Sequence, residues 1–414
     1  MSEIDTKEYV YVMISTLNQM VNYIPLKHFE FDDIYNLTIQ KSDYVNNSRW
    51  DENLFKILKE DGIDFESEDK ILSFQQDEIN DISNIVDVLE ANFSGKDKIF
   101  WNITGGQRPF ILAITKFIRD NDRTEDYICY LEGNKSKMVI LQDDEIVNND
   151  SYNLNNLEIS TALKLMGFQF NSENIEIGKS NERKFYKKFY SEYVKNKKLR
   201  EWLIILNKSY PKLKDKNESE SYKESKKTFE EIKKSAKDKI KAILSDLDQE
   251  LLTTKLDRSQ AFGYILEELT FYKLEELLQD LIDEKKVTLV HSLKIKNEDI
   301  NNVTVAEFDI ALLTDNGKFI MFECKSGRMT GDTAKARNYA TYAVSGVYGL
   351  PILITPILST EKFKEIKDEI LEDDYNDIYR NIKTAIASAE RAGLDVWYLD
   401  NMDDKDNLKK YIEL

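Results

Sequence analysis

Four charged side chains lie on two apolar segments that flank a turn near residue 315. The region reads AEFDIALLTDNGKFIMFECKSG, and its charged members are Glu307, Asp309, Glu323 and Lys325. Two or three carboxylates beside a lysine provide hard oxygen ligands of the kind that Mg²⁺ and Mn²⁺ prefer. Such a site can hydrolyse a phosphodiester, because the metal activates a bound water and the ammonium group stabilises developing negative charge.

The loop length decides whether these carboxylates meet. The turn Asp315-Asn316-Gly317 between two apolar runs predicts a β-hairpin. A two-residue loop would place Asp309 and Glu323 on opposite faces, whereas a three-residue loop with a left-handed glycine pairs Thr314 with Lys318 and sets Asp309 across from Glu323. We favour the three-residue loop. It also predicts one wholly apolar face, formed by Phe308, Ile310, Leu312, Ile320, Phe322 and Cys324.

An ordinary half-exposed hairpin with charged cross-strand pairs is the alternative explanation. This alternative would explain an isolated Asp and Glu-x-Lys, because such short patterns recur by chance. The run FIMFECK, however, predicts a buried central strand, in which an unpaired charge is costly. We therefore favour a function for these charges.

A helix pattern upstream supplies a further carboxylate. Its apolar positions include Leu266 and Leu269, and Glu267 follows Gly263 by one helical turn. A close approach of this helix to the hairpin at Gly263 would aim Glu267 at the metal. For Glu268 we expect a solvated position on the helix surface.

A second polar centre lies in the first third of the chain. The strand-like run Ile99 to Ile103 overlaps the sequence NITGGQRP, residues 102–109, and the helix pattern Phe110 to Ile118 follows. Paired glycines at a strand-to-helix turn let the backbone approach a ligand, and a helix N-terminus favours phosphate. A tight turn without a ligand is the alternative, but Thr104 and Arg108 add further donors. The first strand, Tyr9 to Ser15, ends in a polar loop, and in open α/β sheets such strand ends share one ligand crevice.

The pattern of apolar segments divides the chain into three parts. Residues 1–150 read as an α/β domain with a largely parallel sheet, residues 151–245 as a basic helical connector, and residues 246–414 as a second α/β domain. Within the connector, Lys212 to Lys227 is expected to be solvated. The aromatic residues of the connector are predicted to be helix core, or alternatively to lie along nucleic acid with the lysines between them: Phe185, Tyr186, Phe189, Tyr190 and Tyr193.

Composition excludes several classes of protein. Only two cysteines and two histidines occur among 414 residues, which argues against a disulfide framework and a Cys-rich zinc site. No apolar run is long enough to span a membrane, and the start of the chain is polar, so we expect a cytoplasmic protein. The net charge of −18 argues against nucleic acid. It is unevenly distributed, however, because residues 179–241 contain 21 basic and 10 acidic side chains.

Two family resemblances follow from these motifs. Gly263-x-x-Leu266-Glu267, Asp309 and Glu323-x-Lys325 resemble the PD-(D/E)xK restriction-endonuclease-like fold. Residues 102–108 resemble the Asn-x-Thr-Gly-Gly-Thr-Lys signature of CARF domains, the Rossmann-like sensors of CRISPR systems, with Gln107 and Arg108 replacing the last Thr and Lys. Together the two motifs resemble CRISPR-associated effectors that couple a CARF sensor to a nuclease.

The combined resemblance implies a homodimer that binds a cyclic oligoadenylate, with cyclic tetra-adenylate favoured, and then cleaves DNA or RNA. Asp309 and Glu323 would ligate Mn²⁺ or Mg²⁺, Glu267 would assist, and Lys325 would stabilise the transition state. The implied messenger-binding residues are Thr16, Asn18, Gln19, Asn102, Thr104, Gly105, Gly106, Gln107 and Arg108. Two alternatives stay open: a sensor coupled to a nuclease fold that only binds nucleic acid or protein, and a constitutive restriction or repair endonuclease.

Overall fold

The protein contains two β-sheets joined by helices. The computed structural model describes residues 4–31, 33–40, 50–63, 70–154, 157–170, 180–206, 220–297, 304–359 and 372–412. Of the predicted solvated stretch of the connector, Lys212 to Lys227, residues 212–219 lie outside these ranges, and residues 220–227 begin a helix. No helix within the described ranges is long and apolar enough to cross a membrane.

The first sheet has seven strands in the order β3-β2-β1-β4-β5-β6-β7. The strands are β1 (Val10–Ile14), β2 (Asp33–Ile39), β3 (Ile71–Phe74), β4 (Ile99–Asn102), β5 (Tyr127–Glu132), β6 (Lys137–Gln142) and β7 (Glu145–Ser151). The first five are parallel, and β6 and β7 form an antiparallel edge. The helices of this part are α1 (Met20–His28), α2 (Trp50–Glu60), α3 (Ile82–Phe93) and α4 (Arg108–Asp120).

The strand order creates a switch point between β1 and β4. From β1 the chain moves to β2 on one side, and the later strands lie on the other side of β1. Because parallel strands end at the same edge of the sheet, the loops after β1 and β4 open beside each other there. In open α/β sheets this crevice is where ligands bind.

Helices and one short strand connect the two sheets. They are α5 (Ile159–Leu165), β8 (Phe168–Phe170), α6 (Ser180–Lys195), α7 (Lys197–Leu206), α8 (Glu220–Ile243) and α9 (Gln249–Leu256). β8 lies inside the range that the sequence assigns to the helical connector, yet it pairs with the second sheet. The aromatic residues of α6 are buried as helix core, so the alternative that they lie along nucleic acid is wrong.

The second sheet has six strands in the order β13-β12-β11-β10-β9-β8. Its remaining elements are α10 (Ala261–Asp283), β9 (Val287–Asn297), β10 (Thr304–Thr314), β11 (Phe319–Cys324), α11 (Gly331–Ser345), β12 (Gly349–Thr355), α12 (Glu372–Ala392), β13 (Asp395–Tyr398) and α13 (Lys405–Ile412). The strands from β8 to β11 are antiparallel, and β11, β12 and β13 are parallel.

One hydrophobic core joins the two sheets. Met13 and Met20 from the first sheet and its helix α1 belong to the same buried cluster as Leu313, Met321 and Tyr348 from the second part. The contact extends to the backbone, since the amide of Leu154 donates to the carbonyl of Asp315 at 3.0 Å. The two sheets are therefore packed as one unit, and we call this cluster the shared core.

The predicted mixed α/β class with two α/β parts is confirmed. The predicted strands Tyr9 to Ser15 and Ile99 to Ile103 contain β1 and β4, and the predicted helix Phe110 to Ile118 lies within α4. Residue 150, where the first part was expected to end, lies within the edge strand β7, whose residues are mostly exposed. Its polar side chains face solvent at the edge of the sheet, so its sequence resembles that of a loop.

Candidate functional site

The hairpin has the predicted three-residue register. Leu313 pairs with Phe319, and the amide of Thr314 donates to the carbonyl of Lys318 at 3.0 Å. Gly317 has a φ of 85°, the left-handed conformation that this loop requires. Continued along the strands, the register sets Asp309 across from Glu323.

The predicted apolar face is only partly correct. Ile310 and Leu312 pack in one cluster with the other expected members of β11, but Phe308 belongs to the shared core together with Leu293. The pairing of β9 with β10 skips Asp309, and Ser292 opposite it has a φ of 55°. This local irregularity turns β10, so that residues before and after Asp309 face different cores.

Asp309 is half-buried at the point where the strand turns. Its Oδ2 accepts a hydrogen bond from the amide of Cys324 at 2.7 Å, which fixes the carboxylate against β11. Burial, and then the charge of Glu323, raise the pKa of Asp309 to about 7. The carboxyl group of Asp309 therefore keeps its proton to a higher pH than an exposed aspartate does, because it shares a site with Glu323 that has limited access to water.

Glu323 is only 4% exposed, and cations contact both of its oxygens. Lys325 Nζ lies 2.6 Å from Oε1, and Arg337 Nε lies 3.0 Å from Oε2. Glu323 is thus held by two ion pairs, one on each oxygen.

Lys325 directly follows β11 and is anchored by the next strand. Its amide donates to the carbonyl of Ile354 at 3.2 Å. Burial acts to lower the pKa of the Lys325 ammonium group, but Glu323 and Asp309 outweigh it, and the pKa is raised above its ordinary value. The side chain is therefore a fixed positive charge beside the two carboxylates.

Glu267 reaches this site from α10. Burial, and then the charge of Asp309, raise its pKa to about 8. A Cβ at Gly263, one turn earlier, would lie 3.6 Å from Ser326 Oγ, so the helix passes the end of β11 there, at an ordinary contact distance. The predicted approach of α10 to the hairpin is present, and it brings Glu267 to the other carboxylates.

Glu268 differs from the expectation of a solvated side chain. It is 3% exposed, and its Oε1 lies 2.7 Å from Lys255 Nζ and 3.2 Å from Arg258 Nη1. Tyr186 donates to its other oxygen. The solvated expectation is wrong because α6 and α9 cover this side of α10. Glu268 belongs to a structural ion-pair network.

Two further charged residues have roles that sequence analysis did not assign. Glu307 is exposed, and its Oε1 lies 3.4 Å from Lys294 Nζ, which leaves it outside the carboxylate cluster. Arg337 of α11 contacts Glu323 and also donates from Nη1 to the carbonyl of Glu307 at 2.6 Å. No local sequence signal identifies Arg337, since the contact depends on how α11 packs on the hairpin.

The donor types in this cluster suit a hard divalent cation. Asp309, Glu323 and Glu267 offer carboxylate oxygens. Burial, and then neighbouring carboxylates, raise the pKa of Asp309 and of Glu267, and a cation would favour their ionised forms. In the described part of the chain, however, no three His, Cys, Asp or Glu side chains form a ready-made metal cage. The residues fit a metal by their chemistry, with Lys325 and Arg337 now pairing with Glu323.

The two loops at the switch point of the first sheet touch each other. A Cβ at Gly105 would lie 2.8 Å from Thr16 Cγ2. Gly106 has a φ of 85°, and a Cβ there would overlap Ile14. Both glycines are therefore required by the close packing of the second loop on the end of β1. This packing alone explains both glycines, so the alternative of a tight turn that binds no ligand accounts for them as well.

Asn102 supports these loops from beneath. It is completely buried, and its Nδ2 donates to Tyr11 Oη at 2.8 Å, to the carbonyl of Val21 at 2.9 Å and to Asn22 Oδ1 at 3.0 Å. Its Oδ1 accepts from the amide and the hydroxyl of Thr104. Asn102 is thus committed to the protein itself, and it fixes the position of Thr104.

The first loop is held by a carboxylate that sequence analysis missed. Asp51, near the start of α2, accepts hydrogen bonds from Ser15, from Gln19 Nε2 at 3.0 Å and from Thr38 Oγ1 at 2.9 Å. Gln19 is itself fully buried. Thr16 is half-buried, and Gln107 and Arg108 at the start of α4 are exposed, so these side chains border the crevice.

The fold and the two polar centres together define a class of architecture: a Rossmann-like sheet with a crevice at its switch point, joined to a mixed sheet whose hairpin carries a carboxylate–lysine cluster. Two solved structures that match this chain share the fold. Can2 from Sulfobacillus thermosulfidooxidans, in complex with cyclic tetra-adenylate, matches with a TM-score of 0.60 and 16% identity over 98% of this chain and 97% of its own. Protein VC1899 from Vibrio cholerae matches with a TM-score of 0.60 and 16% identity over 98% of each chain.

These likenesses bear out, at the level of the fold, the resemblance that the two motifs predict. At 16% identity they establish the fold of the whole chain. No protein-family model matches the sequence, and no curated protein matches it.

Proposed function

We propose that this protein is a divalent-metal-dependent endonuclease of CRISPR antiviral defence that is activated by a cyclic oligoadenylate. The nuclease is formed by residues 246–414, the sensor by residues 1–150, and residues 151–245 connect them. The proposed activator is cyclic tetra-adenylate, the molecule bound by Can2, whose fold this chain shares.

The convergence of Glu267, Asp309, Glu323 and Lys325 is the observation that carries this proposal. The four residues come from α10, β10 and the end of β11, and each carboxylate is buried or half-buried. Burial and mutual repulsion raise the pKa of Glu267 and of Asp309. Carboxylates with raised pKa values around a lysine are typical of catalytic sites.

Each residue has a distinct proposed role. Bound Mn²⁺ or Mg²⁺ supplies charge neutralisation at the scissile phosphate and lowers the pKa of a water. Asp309 and Glu323 hold the cation, and Glu267 assists in holding it or orients the attacking water. Lys325, a fixed positive charge, stabilises the negative charge that develops on the phosphate oxygens.

The proposed substrate is nucleic acid, DNA or RNA, and the connector supports it. Exposed lysines alternate with the buried aromatic residues along α6, among them Lys184, Lys188 and Lys195. Lys187 is also exposed, and it pairs with Glu276 at 2.6 Å. This face can contact phosphates but cannot stack on bases, because its aromatic rings are inside the protein.

The proposed messenger site is the crevice at the switch point of the first sheet. Thr16, Gln107 and Arg108 border it, and the N-terminus of α4 favours a phosphate there. We propose that two copies of the chain enclose the messenger. In support, Leu17 and Leu112 are 49% and 55% exposed beside the crevice, where a second copy would cover them.

A cleavage assay tests the proposal. The purified protein is incubated with Mn²⁺ and end-labelled single- and double-stranded DNA and RNA, with and without each cyclic oligoadenylate. We expect cleavage only when messenger is present, and its loss in Asp309→Ala. Size-exclusion chromatography with light scattering measures the dimer.

The two alternatives predict other outcomes of the same assay. Cleavage that does not depend on messenger would indicate a restriction or repair endonuclease. Messenger binding without cleavage of any substrate would indicate a sensor that only recruits nucleic acid or protein.

A further inference from the structure

The first crevice loop touches the end of α11, the helix that carries Arg337. Asn18 lies in this loop, and Gly346 directly follows α11. A Cβ at Gly346 would lie 2.5 Å from Asn18 Nδ2 and 3.0 Å from Asn18 Cγ. Gly346 also has a φ of 59°, a conformation that favours glycine. The loop and the helix end therefore meet with no room for a methyl group.

The Asn18 amide is in an unfavourable environment at this contact. Its Oδ1 accepts from the amide of Met20 at 3.2 Å, but its buried Nδ2 makes no hydrogen bond within the described residues. A buried donor without a partner costs about 1 to 3 kcal/mol. A different loop conformation that paired this amide would be favoured by that amount, so the contact is suited to change.

Hydrogen bonds connect Asn18's loop to the other side of the crevice. Gln19 Oε1 accepts from Asn22 at 3.0 Å, Asn22 Oδ1 accepts from Asn102 at 3.0 Å, and Asn102 Oδ1 accepts from Thr104. These side chains form a continuous chain between the two loops. A ligand that moves either loop therefore acts on the residue beside Asn18.

The sensor holds the C-terminal end of α11 on more than one side. Val344 and Tyr348 are 2% and 4% exposed and lie in the shared core. A Cβ at Gly133, which follows β5, would lie 2.7 Å from Tyr348 Cε1. Because this end of the helix is packed into the first part of the molecule, α11 follows its movements.

In the middle of α11, Arg337 is the cation on Glu323 Oε2. Nine residues separate Arg337 from Gly346, which corresponds to about 14 Å along a helix. Arg337 also holds the carbonyl of Glu307, so it ties α11 to both strands of the hairpin. A shift of the helix by a fraction of a turn changes this ion pair directly.

We propose that α11 relays the state of the crevice loops to the nuclease site. In the arrangement described here, the Asn18–Gly346 contact sets the position of α11, and Arg337 occupies Glu323 Oε2. A messenger that rearranges the first loop moves α11 and releases this oxygen for the catalytic cation. Arg337 is thus a positioning residue that restrains Glu323, and this inference rests on the proposed messenger-activated nuclease.

Two glycines at opposite ends of α11 provide a matched pair of variants. Gly346→Ala forces the helix end away from Asn18, whereas a Cβ at Gly331 would meet nothing within 4 Å. Asn18→Ala tests the same contact without backbone strain. Hydrogen exchange of residues 331–346, cyclic tetra-adenylate affinity and cleavage are measured for each protein.

We expect messenger to change exchange in α11 of the wild type and of Gly331→Ala. In Gly346→Ala the messenger still binds with wild-type affinity, but its stimulation of cleavage falls about fivefold or more. In Asn18→Ala the stimulation, measured at saturating messenger, falls by a similar factor. If both variants respond to saturating messenger as the wild type does, the relay is overturned. Wild-type cleavage that is independent of messenger instead overturns the proposed function itself.

A second pair of variants tests the restraint on Glu323. Arg337→Gln removes the ion pair, and Lys335→Gln removes an exposed charge from the same helix. Mn²⁺ affinity is measured by electron paramagnetic resonance without messenger. We expect Arg337→Gln to bind Mn²⁺ about fivefold more tightly and Lys335→Gln to match the wild type. Weaker Mn²⁺ binding by Arg337→Gln would show that Arg337 supports the site, and would overturn the restraint.

Discussion

At the crevice of the first sheet, Gln19, Asn22 and Asn102 hydrogen-bond one another, whereas at the hairpin Asp309 and Glu323 face each other across two strands. The side chains of the first group make hydrogen bonds to the protein instead of to water, and these bonds fix their positions. In the second group, burial and then the charge of Glu323 raise the pKa of Asp309 to about 7. The polar side chains of the first centre are thus satisfied by protein partners, whereas the second centre keeps carboxylates close together in a site where ionisation is disfavoured.

The largest effect is expected at the charged centre. Lys325→Ala removes the fixed cation beside Glu323 and should lower the cleavage rate about 1,000-fold, because this charge acts on the transition state. Messenger affinity should stay at the wild-type value. Lys294→Ala, which removes a half-buried lysine of strand β9 that pairs with Glu307, is the control and should cleave normally. Cleavage by Lys325→Ala at the control rate would show that Lys325 takes no part in catalysis.

The adjacent glutamates of α10, Glu267 and Glu268, are expected to differ: Glu268 contributes to stability and Glu267 to cleavage. Glu268→Ala leaves Lys255, whose side chain is 4% exposed, without its buried partner, and should lower the free energy of unfolding by about 3 kcal/mol. Glu267→Ala should leave stability unchanged or raise it, because it removes repulsion, but should impair cleavage. Urea denaturation and the cleavage assay measure the two effects. Equal destabilisation by both substitutions would contradict the distinction.

A smaller loss of stability is expected in the crevice network. Asn102→Ala breaks five hydrogen bonds beneath the loops and should lower the free energy of unfolding by about 2 kcal/mol, and messenger affinity with it. Asn80→Ala, which removes one exposed hydrogen bond, is the control. A variant with wild-type stability and weak messenger binding would instead mean that Asn102 contacts the ligand directly.

The smallest effect is a pH dependence of stability in the metal-free protein. Asp309 and Glu267 have ordinary pKa values of 3.8 and 4.5 and folded values of about 7 and 8. Between these values the folded state keeps protons that the unfolded chain has released, so stability falls as the pH rises from about 4 to 8. With EDTA present, Asp309→Asn should raise the melting temperature by about 1 to 3 °C at pH 8.5 and by less at pH 5. An equal shift at both pH values would argue against the raised pKa.

The sequence predicts the turns and the strand register, which depend on neighbouring residues. It predicts few of the contacts that depend on how distant helices and strands pack. The hairpin register follows from three turn residues, and the loop at Gly106 from its strand-to-helix context. Arg337 and Asp51 were not predicted to reach the two centres, because their contacts depend on how α11 and α2 pack. Phe308 was assigned to the wrong core, since nothing local reveals the irregularity at Ser292.

The shared core has a consequence for how the protein can be divided. A cut after residue 150 would expose Met13 and Met20 on one fragment and Leu313, Met321 and Tyr348 on the other. Each fragment would then present an apolar surface that the intact chain covers, and each would tend to aggregate. The first sheet with its helices is therefore not a detachable module. Grafting it onto another protein requires transferring the face of the second sheet on which it packs.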